Sequence, residues 1–108
     1  MAQNVPSPTS PLVCHLDVFD AEQQQRYGSL RQQLAAAITR RTELPDGYAL
    51  RFPAEADLLL TLAEFITLER LCCPFLNFRL EWEAEGGPIW LRLTGRDGVK
   101  DVLRPAFG

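Results

Sequence analysis

Apolar and polar positions repeat with two different periods along this chain, and the changes of period predict its elements. From Leu12 to Val18 every second residue is apolar or a cysteine, whereas His15 and Asp17 fall between them. This alternation is typical of a half-buried strand. It predicts a first strand whose core side includes Cys14.

Helical spacing follows this predicted strand. Asp20 is suited to cap a helix that carries Tyr27 on its apolar side and runs to about Arg41. The segment Leu44-Pro45-Asp46-Gly47 then has the residues of a tight turn. It predicts entry into a second strand, which Pro53 ends.

The second half of the chain repeats this order of helix and strand. A helix should stop at Cys73, because the proline after it disfavours the helical conformation in the residue before it. Two alternating runs around Gly86-Gly87-Pro88 predict a hairpin, with Trp82 on the core side and Trp90 on the polar side. A short last helix, capped by Asp97, should be closed by a proline at position 105.

These elements predict a single α+β domain in which helices pack on a small mixed sheet. The predicted order is β-α-β-α-β-β-α over residues 12–108. Residues 1–11, with three prolines and several small polar residues, predict a disordered leader.

Composition and charge narrow the classes of function. The formal net charge is -3, whereas a surface that follows nucleic-acid phosphates is usually basic, so we expect no nucleic-acid partner. We also expect no membrane partner, because no apolar run approaches the length of a membrane span and the start does not resemble a signal peptide. A cytoplasmic protein with three reduced cysteines is therefore predicted, and homo-oligomerisation is left open.

Glu69 is the acidic residue that the helical pattern places among apolar neighbours. Projected at helical spacing, it lies near the centre of an apolar stripe, with Cys72 at the edge of that stripe. A buried carboxylate needs a proton, a cation, hydrogen-bond donors or a metal ion. The stripe comprises Leu58, Leu62, Phe65, Ile66 and Cys73.

The three cysteines predict a metal site if the first strand passes the end of this helix. Cys14, Cys72 and Cys73 would then supply three sulfurs, and Glu69 or His15 a further ligand. Thiolates prefer soft ions, and the chain has no C-x-x-C pair of the kind used in structural zinc sites. Cu(I), Hg(II) and As(III) are the expected ions, with Zn(II) as a further candidate.

Two other functions are compatible with the same residues. In a thiol enzyme, one cysteine of the pair would attack a substrate, Glu69 would move a proton and a second cysteine would resolve the intermediate. In a non-enzymatic interaction or ligand-binding domain, the cysteines would only be packed and Glu69 would pair with Arg70, Arg79 or Arg92.

The motif Glu69-Arg70-Leu71-Cys72-Cys73-Pro74-Phe75 is followed by Trp90-Leu91-Arg92-Leu93-Thr94-Gly95. With these two motifs the chain resembles a group of small uncharacterised bacterial proteins, over most of residues 12–104. The resemblance implies that the cysteine motif acts as a unit, but it names no substrate. The adjacent cysteines are also similar to those of mercury-handling proteins.

Overall fold

The computed structural model describes residues 11–108, so the leader predicted for residues 1–11 lies almost entirely outside the described residues. The described part forms three α-helices, four strands and one turn of 3-10 helix. The helices are α1 (Ala21–Ala37), α2 (Ala56–Cys72) and α3 (Val99–Phe107), and the 3-10 turn is Leu16–Val18. The strands are β1 (Arg40–Leu44), β2 (Gly47–Phe52), β3 (Asn77–Trp82) and β4 (Ile89–Thr94).

The four strands form one sheet in the order β1-β2-β4-β3. Every neighbouring pair is antiparallel, so the sheet is not the mixed sheet that the sequence predicted. The α+β class is confirmed, and so is the hairpin of β3 and β4, in which Leu80 faces Leu91.

The first predicted strand is wrong. Residues 12–19, which we call the strap, pair with no strand of the described sheet and contain only the 3-10 turn. The strap instead lies against the C-terminal end of α2, where the backbone N–H of His15 donates to the carbonyl of Cys72 at 2.7 Å. An alternating pattern is compatible with a strand, but it cannot supply a sheet edge to pair with.

Helix α1 begins at the residue that the sequence indicated. The Asp20 side chain accepts from the Gln23 backbone N–H at 2.8 Å, and the Gln23 side chain accepts from the Asp20 N–H at 3.0 Å, which completes a capping box. The helix ends at Ala37 and not near Arg41, because the following residues form β1. That strand is short and charged, as edge strands commonly are, and the sequence pattern did not reveal it.

The end of the chain differs from the prediction in two details. Gly98, with a φ of 96°, caps α3 in place of Asp97, and the helix continues through Pro105 to Phe107. Trp82 is 41% exposed although it was predicted to be in the core. It lies at the end of β3, where its indole N–H donates to the carbonyl of Gly87 at 3.1 Å.

The core lies between the helices and one face of the sheet. Each helix contributes fully or nearly fully buried side chains, such as Leu30, Leu62 and Leu103, which share one cluster with Leu50 and Leu91 of the sheet. Alternation places the neighbouring residues of β2 and β4 on the opposite face. That face carries Arg40, Arg51, Trp90, Arg92, Arg79 and Glu81.

Within residues 11–108, no helix combines the length and the apolar character that a membrane crossing requires.

Candidate metal centre

The C-terminal end of α2 carries an acidic residue and two cysteines in the interior. Glu69 is 2% exposed, Cys72 is 0% exposed and Cys73 is 1% exposed. The helix stops at Cys72, and the Cys73 backbone N–H donates to the Glu69 carbonyl at 2.8 Å as the helix cap. The prediction that Glu69 faces the inside of its helix is therefore confirmed.

Tyr27 of α1 is the hydrogen-bond partner of this buried carboxylate. Its hydroxyl donates to Glu69 Oε1 at 2.5 Å, so none of the arginines proposed from the sequence fills this role. Burial, and then the hydrogen bond to Glu69, raise the pKa of Tyr27 far above the usual tyrosine range. The hydroxyl thus keeps its proton and remains a donor.

The role of Tyr27 was missed at the sequence level, where it counted only as an apolar position of α1. The residue type nevertheless indicated a hydrogen-bond partner, because a buried tyrosine normally finds one for its hydroxyl. The ring packs between Phe19 and Phe65, with centroid distances of 5.2 Å and 6.0 Å. These contacts fix the direction of the hydroxyl toward α2.

The two neighbouring sulfurs and the carboxylate form one compact cluster. Cys72 Sγ lies 3.5 Å from Cys73 Sγ and 3.5 Å from Glu69 Oε1. One ligand atom from each of Glu69, Cys72 and Cys73 lies within 4.8 Å of the others. Among the described residues this is the group whose donor atoms are close enough to share an ion.

Cys14 is brought to this cluster, but as part of a disulfide. It is bonded to Cys73, with a Cα–Cα distance of 4.7 Å, which lies in the normal disulfide range. The expectation of three reduced thiols is therefore wrong for this form of the protein. The strap carries Cys14 across the helix end, so the two sulfurs meet although 59 positions separate them.

The position of Cys14 also differs from the predicted core side of a strand. Cys14 is an exposed residue, whereas its partner Cys73 is a buried one. His15, the alternative ligand, is exposed too and does not belong to the compact cluster. The disulfide thus joins an exposed residue to a buried one, and Cys72 is buried beside it.

Cys72 is the free thiol of the described structure. Burial is the main cause that raises the pKa of this thiol to about 11, and the negative charge of Glu69 acts in the same direction. A thiol of this kind is protonated at neutral pH. It becomes a good ligand when a bound cation stabilises its thiolate.

Comparison with known proteins finds no matching family model, no matching curated protein and no matching solved structure. The residues of this cluster are therefore what points to a function.

Proposed function

We propose that the reduced protein binds a soft metal or metalloid ion through Cys72 and Cys73, with Cys14 as third sulfur and Glu69 as a tuning carboxylate. The buried cluster of Glu69, Cys72 and Cys73 is the observation that carries this proposal. Its role would be sequestration, transfer or sensing in a cytoplasm, where thiols are kept reduced. The disulfide form would then be the form that does not bind.

The spacing of the sulfurs supports a bent arrangement around an ion. With metal–sulfur bonds of about 2.3 Å, two sulfurs stand about 4.6 Å apart in a linear site and about 3.5 Å apart at a bond angle near 100°. Cys72 Sγ and Cys73 Sγ are 3.5 Å apart. This distance belongs to the disulfide form; a reduced protein that keeps it would suit pyramidal As(III) or tetrahedral Zn(II) better than a linear two-sulfur site for Hg(II) or Cu(I).

The charges around the cluster also favour a cation. Helix α2 ends at Cys72, and the end of a helix carries partial negative charge. Glu69 adds a carboxylate whose second role, beyond accepting from Tyr27, would be to stabilise a positive ion nearby. The same surroundings disfavour an isolated thiolate.

This last point weighs against the thiol-enzyme alternative. A nucleophilic cysteine is normally activated by a lowered pKa, whereas the pKa of Cys72 is raised to about 11. The alternative of a purely packed cluster is supported by the bond from Tyr27, which already satisfies Glu69. An experiment must therefore separate ion binding from packing.

The test is to reduce the protein fully under anaerobic conditions, add arsenite, Zn(II) or Cu(I) separately, remove free ion and measure the bound ion by mass spectrometry. We expect one ion per chain for the wild type and loss of binding in Cys72→Ser and Cys73→Ser. Leu71→Ser is the matched control, because Leu71 is the exposed neighbour on the same helix. An unchanged ion stoichiometry in both cysteine variants, with folding retained in circular dichroism, would exclude the proposal.

A further inference from the structure

We propose that the Cys14–Cys73 disulfide is a redox-active site, which a dithiol reductant opens at Cys14, and that its opening releases the strap and uncovers the cluster beneath it. This inference rests on the proposed function in one respect: it states when the ion site becomes available. Beyond ion binding, it proposes a dithiol as the reactant, the sulfur of Cys14 as the point of attack, and a movement of the strap.

The exposures of the two cysteines determine which sulfur a reductant can reach. Cys14 is exposed, whereas Cys73 is 1% exposed. A thiolate from outside therefore attacks the sulfur of Cys14, and the sulfur of Cys73 is the leaving group. Access of this kind is one of the factors that decide which sulfur of a disulfide reacts.

The neighbouring thiol assists this leaving group. Cys72 Sγ lies 3.5 Å from Cys73 Sγ, within hydrogen-bond distance for sulfur, and Cys72 is not part of a disulfide. Its S–H can donate to the thiolate that forms on Cys73. Cys72 thus acts as a hydrogen-bond donor in this step and not as the attacking group.

The reaction balances with a dithiol as the reductant. The first thiolate of the reductant forms a bond to Cys14, and the bond between Cys14 and Cys73 breaks with its electron pair on Cys73. The second thiol of the reductant then attacks its own first sulfur and releases Cys14 as a thiolate. The two protons of the dithiol pass to the two cysteines, so the reductant becomes a disulfide and the protein gains two thiols.

Few contacts other than the disulfide hold the strap over the cluster. Along this segment Val13, Leu16 and Val18 are each 50% exposed. The backbone bond from His15 to Cys72 joins the strap to α2, and Leu12 packs at the edge of the core. A groove lined by Leu16, Tyr27 and Arg31 leaves open space beside it.

The far end of the strap is fixed, which sets the place where it would bend. Phe19 is 5% exposed, packs on Tyr27 and directly precedes the capping box at the start of α1. Breaking the disulfide therefore frees residues 12–18 while Phe19 stays in the core. Cys72 and Cys73, each at most 1% exposed under the strap, then become accessible to an ion.

Two measurements test the proposal without any ion. In the first, oxidised protein is treated briefly with the monothiol glutathione, the exchange is stopped with acid and free thiols are alkylated, and peptide mapping locates the mixed disulfide. We expect it on Cys14. An adduct on Cys73 would overturn the proposed point of attack.

In the second measurement, hydrogen exchange of the strap is followed by mass spectrometry in oxidised and reduced protein. We expect the amide of His15 to exchange at least about tenfold faster after reduction, because local opening lowers its protection. Cys14→Ser should show the fast exchange without reductant. Val13→Ser is the matched control in the same segment, which keeps the disulfide and should show the slow exchange in its oxidised form.

Equal exchange in the oxidised, reduced and Cys14→Ser proteins would overturn the release of the strap. These outcomes are distinct from failure of the proposed function. A reduced protein that opens but retains no arsenite, Zn(II) or Cu(I) refutes ion binding and leaves the redox site standing. A reduced protein whose strap stays protected in the absence of any ion, but which binds an ion when one is added, refutes the opening alone.

Discussion

The hydroxyl of Tyr27 and the carboxylate of Glu69 are joined by a 2.5 Å hydrogen bond inside the core. The bond links α1 to α2, and it orients the carboxylate that borders the sulfur of Cys72. A single phenol therefore serves both the packing of the helices and the order of the cluster.

Removal of this phenol hydroxyl should be costly. We expect Tyr27→Phe to lower the free energy of unfolding by about 1–3 kcal/mol, because it leaves a buried carboxylate without its donor. Glu69→Leu combined with Tyr27→Phe should cost less than the sum of the single changes, since neither polar partner remains. Urea denaturation of the four proteins measures this coupling, and additive effects would contradict it. Arg26→Gln serves as the control, because Arg26 forms an exposed ion pair with Glu64 between the same helices.

The thiol of Cys72 should titrate late in the oxidised protein, where the other two cysteines are bonded. Ultraviolet absorbance of the thiolate should show a pKa near 11, compared with an ordinary value of 9.0. Glu69→Gln should lower this pKa, because it removes the nearby negative charge. Because folding raises the pKa of Cys72, the thiol contributes to the free energy of unfolding. This contribution is fully present below pH 9 and is lost as the pH rises through about 11. A pKa for Cys72 at or below the ordinary value would contradict the prediction.

The pH dependence of ion binding should reveal how many thiols take part. Between about pH 6 and about pH 7.5 each thiol that loses a proton to Zn(II) should raise the apparent affinity about tenfold per pH unit. Three sulfurs predict a slope of about three and Cys14→Ser a slope lower by about one. Titrations with a competing chelator at several pH values measure the slope.

Arsenite gives the contrasting result for the same site. It is a neutral trihydroxide in this pH range, and each thiol proton leaves in a molecule of water, so its affinity should change little with pH.

A slope for Zn(II) that is the same in wild type and Cys14→Ser would contradict a ligand role for Cys14.

Two glycines should respond in opposite ways to the same substitution. A Cβ at Gly47 would lie 1.9 Å from the carbonyl oxygen of Leu93, so we expect Gly47→Ala to cost about 1–3 kcal/mol of stability through a shift of β2 from β4. Gly28, inside α1, has nothing within 4 Å of its added Cβ. Gly28→Ala should therefore stabilise the protein by about 0.5–1 kcal/mol. Thermal and urea unfolding compare the pair, and a neutral Gly47→Ala would contradict the close approach of β2 and β4.

Loss of the cross-link should weaken the fold. The disulfide joins positions 59 apart in the sequence and so restricts the unfolded chain. In the chain-entropy description this restriction stabilises the folded protein by at most about 4 kcal/mol. Reduced wild type and Cys14→Ser should both unfold at lower urea concentration than the oxidised protein. Equal midpoints for oxidised and reduced protein would contradict this expectation.

The start of α1, the end of α2 and the burial of Glu69 were predicted correctly from the sequence. Asp20 and Gln23 fixed the start of α1 through their own side chains, and Pro74 fixed the end of α2. The burial of Glu69 followed from helical spacing alone. These features depend on neighbours within one or two turns, which a single sequence displays.

What depended on distant partners could not be predicted. The alternation from Leu12 to Val18 satisfied a strand pattern, yet the segment became a strap because its contact is the end of α2 and not a sheet edge. Tyr27 and Glu69 are 42 positions apart, and no local pattern pairs them. The bond from Cys14 to Cys73 likewise required the path of the strap.

The one-sided placement of the helices has an electrostatic consequence. Since the helices of the described chain cover the same face, the opposite face sets Arg40 directly across from Arg51, and Arg79 directly across from Arg92. The three helices carry five acidic and five basic side chains, so the surplus negative charge behind the net charge of -3 lies outside the helices and strands. Basic side chains are therefore concentrated on one face of the sheet, and we expect that face to slow the protein on a cation-exchange resin at a pH where its total charge alone would let it pass.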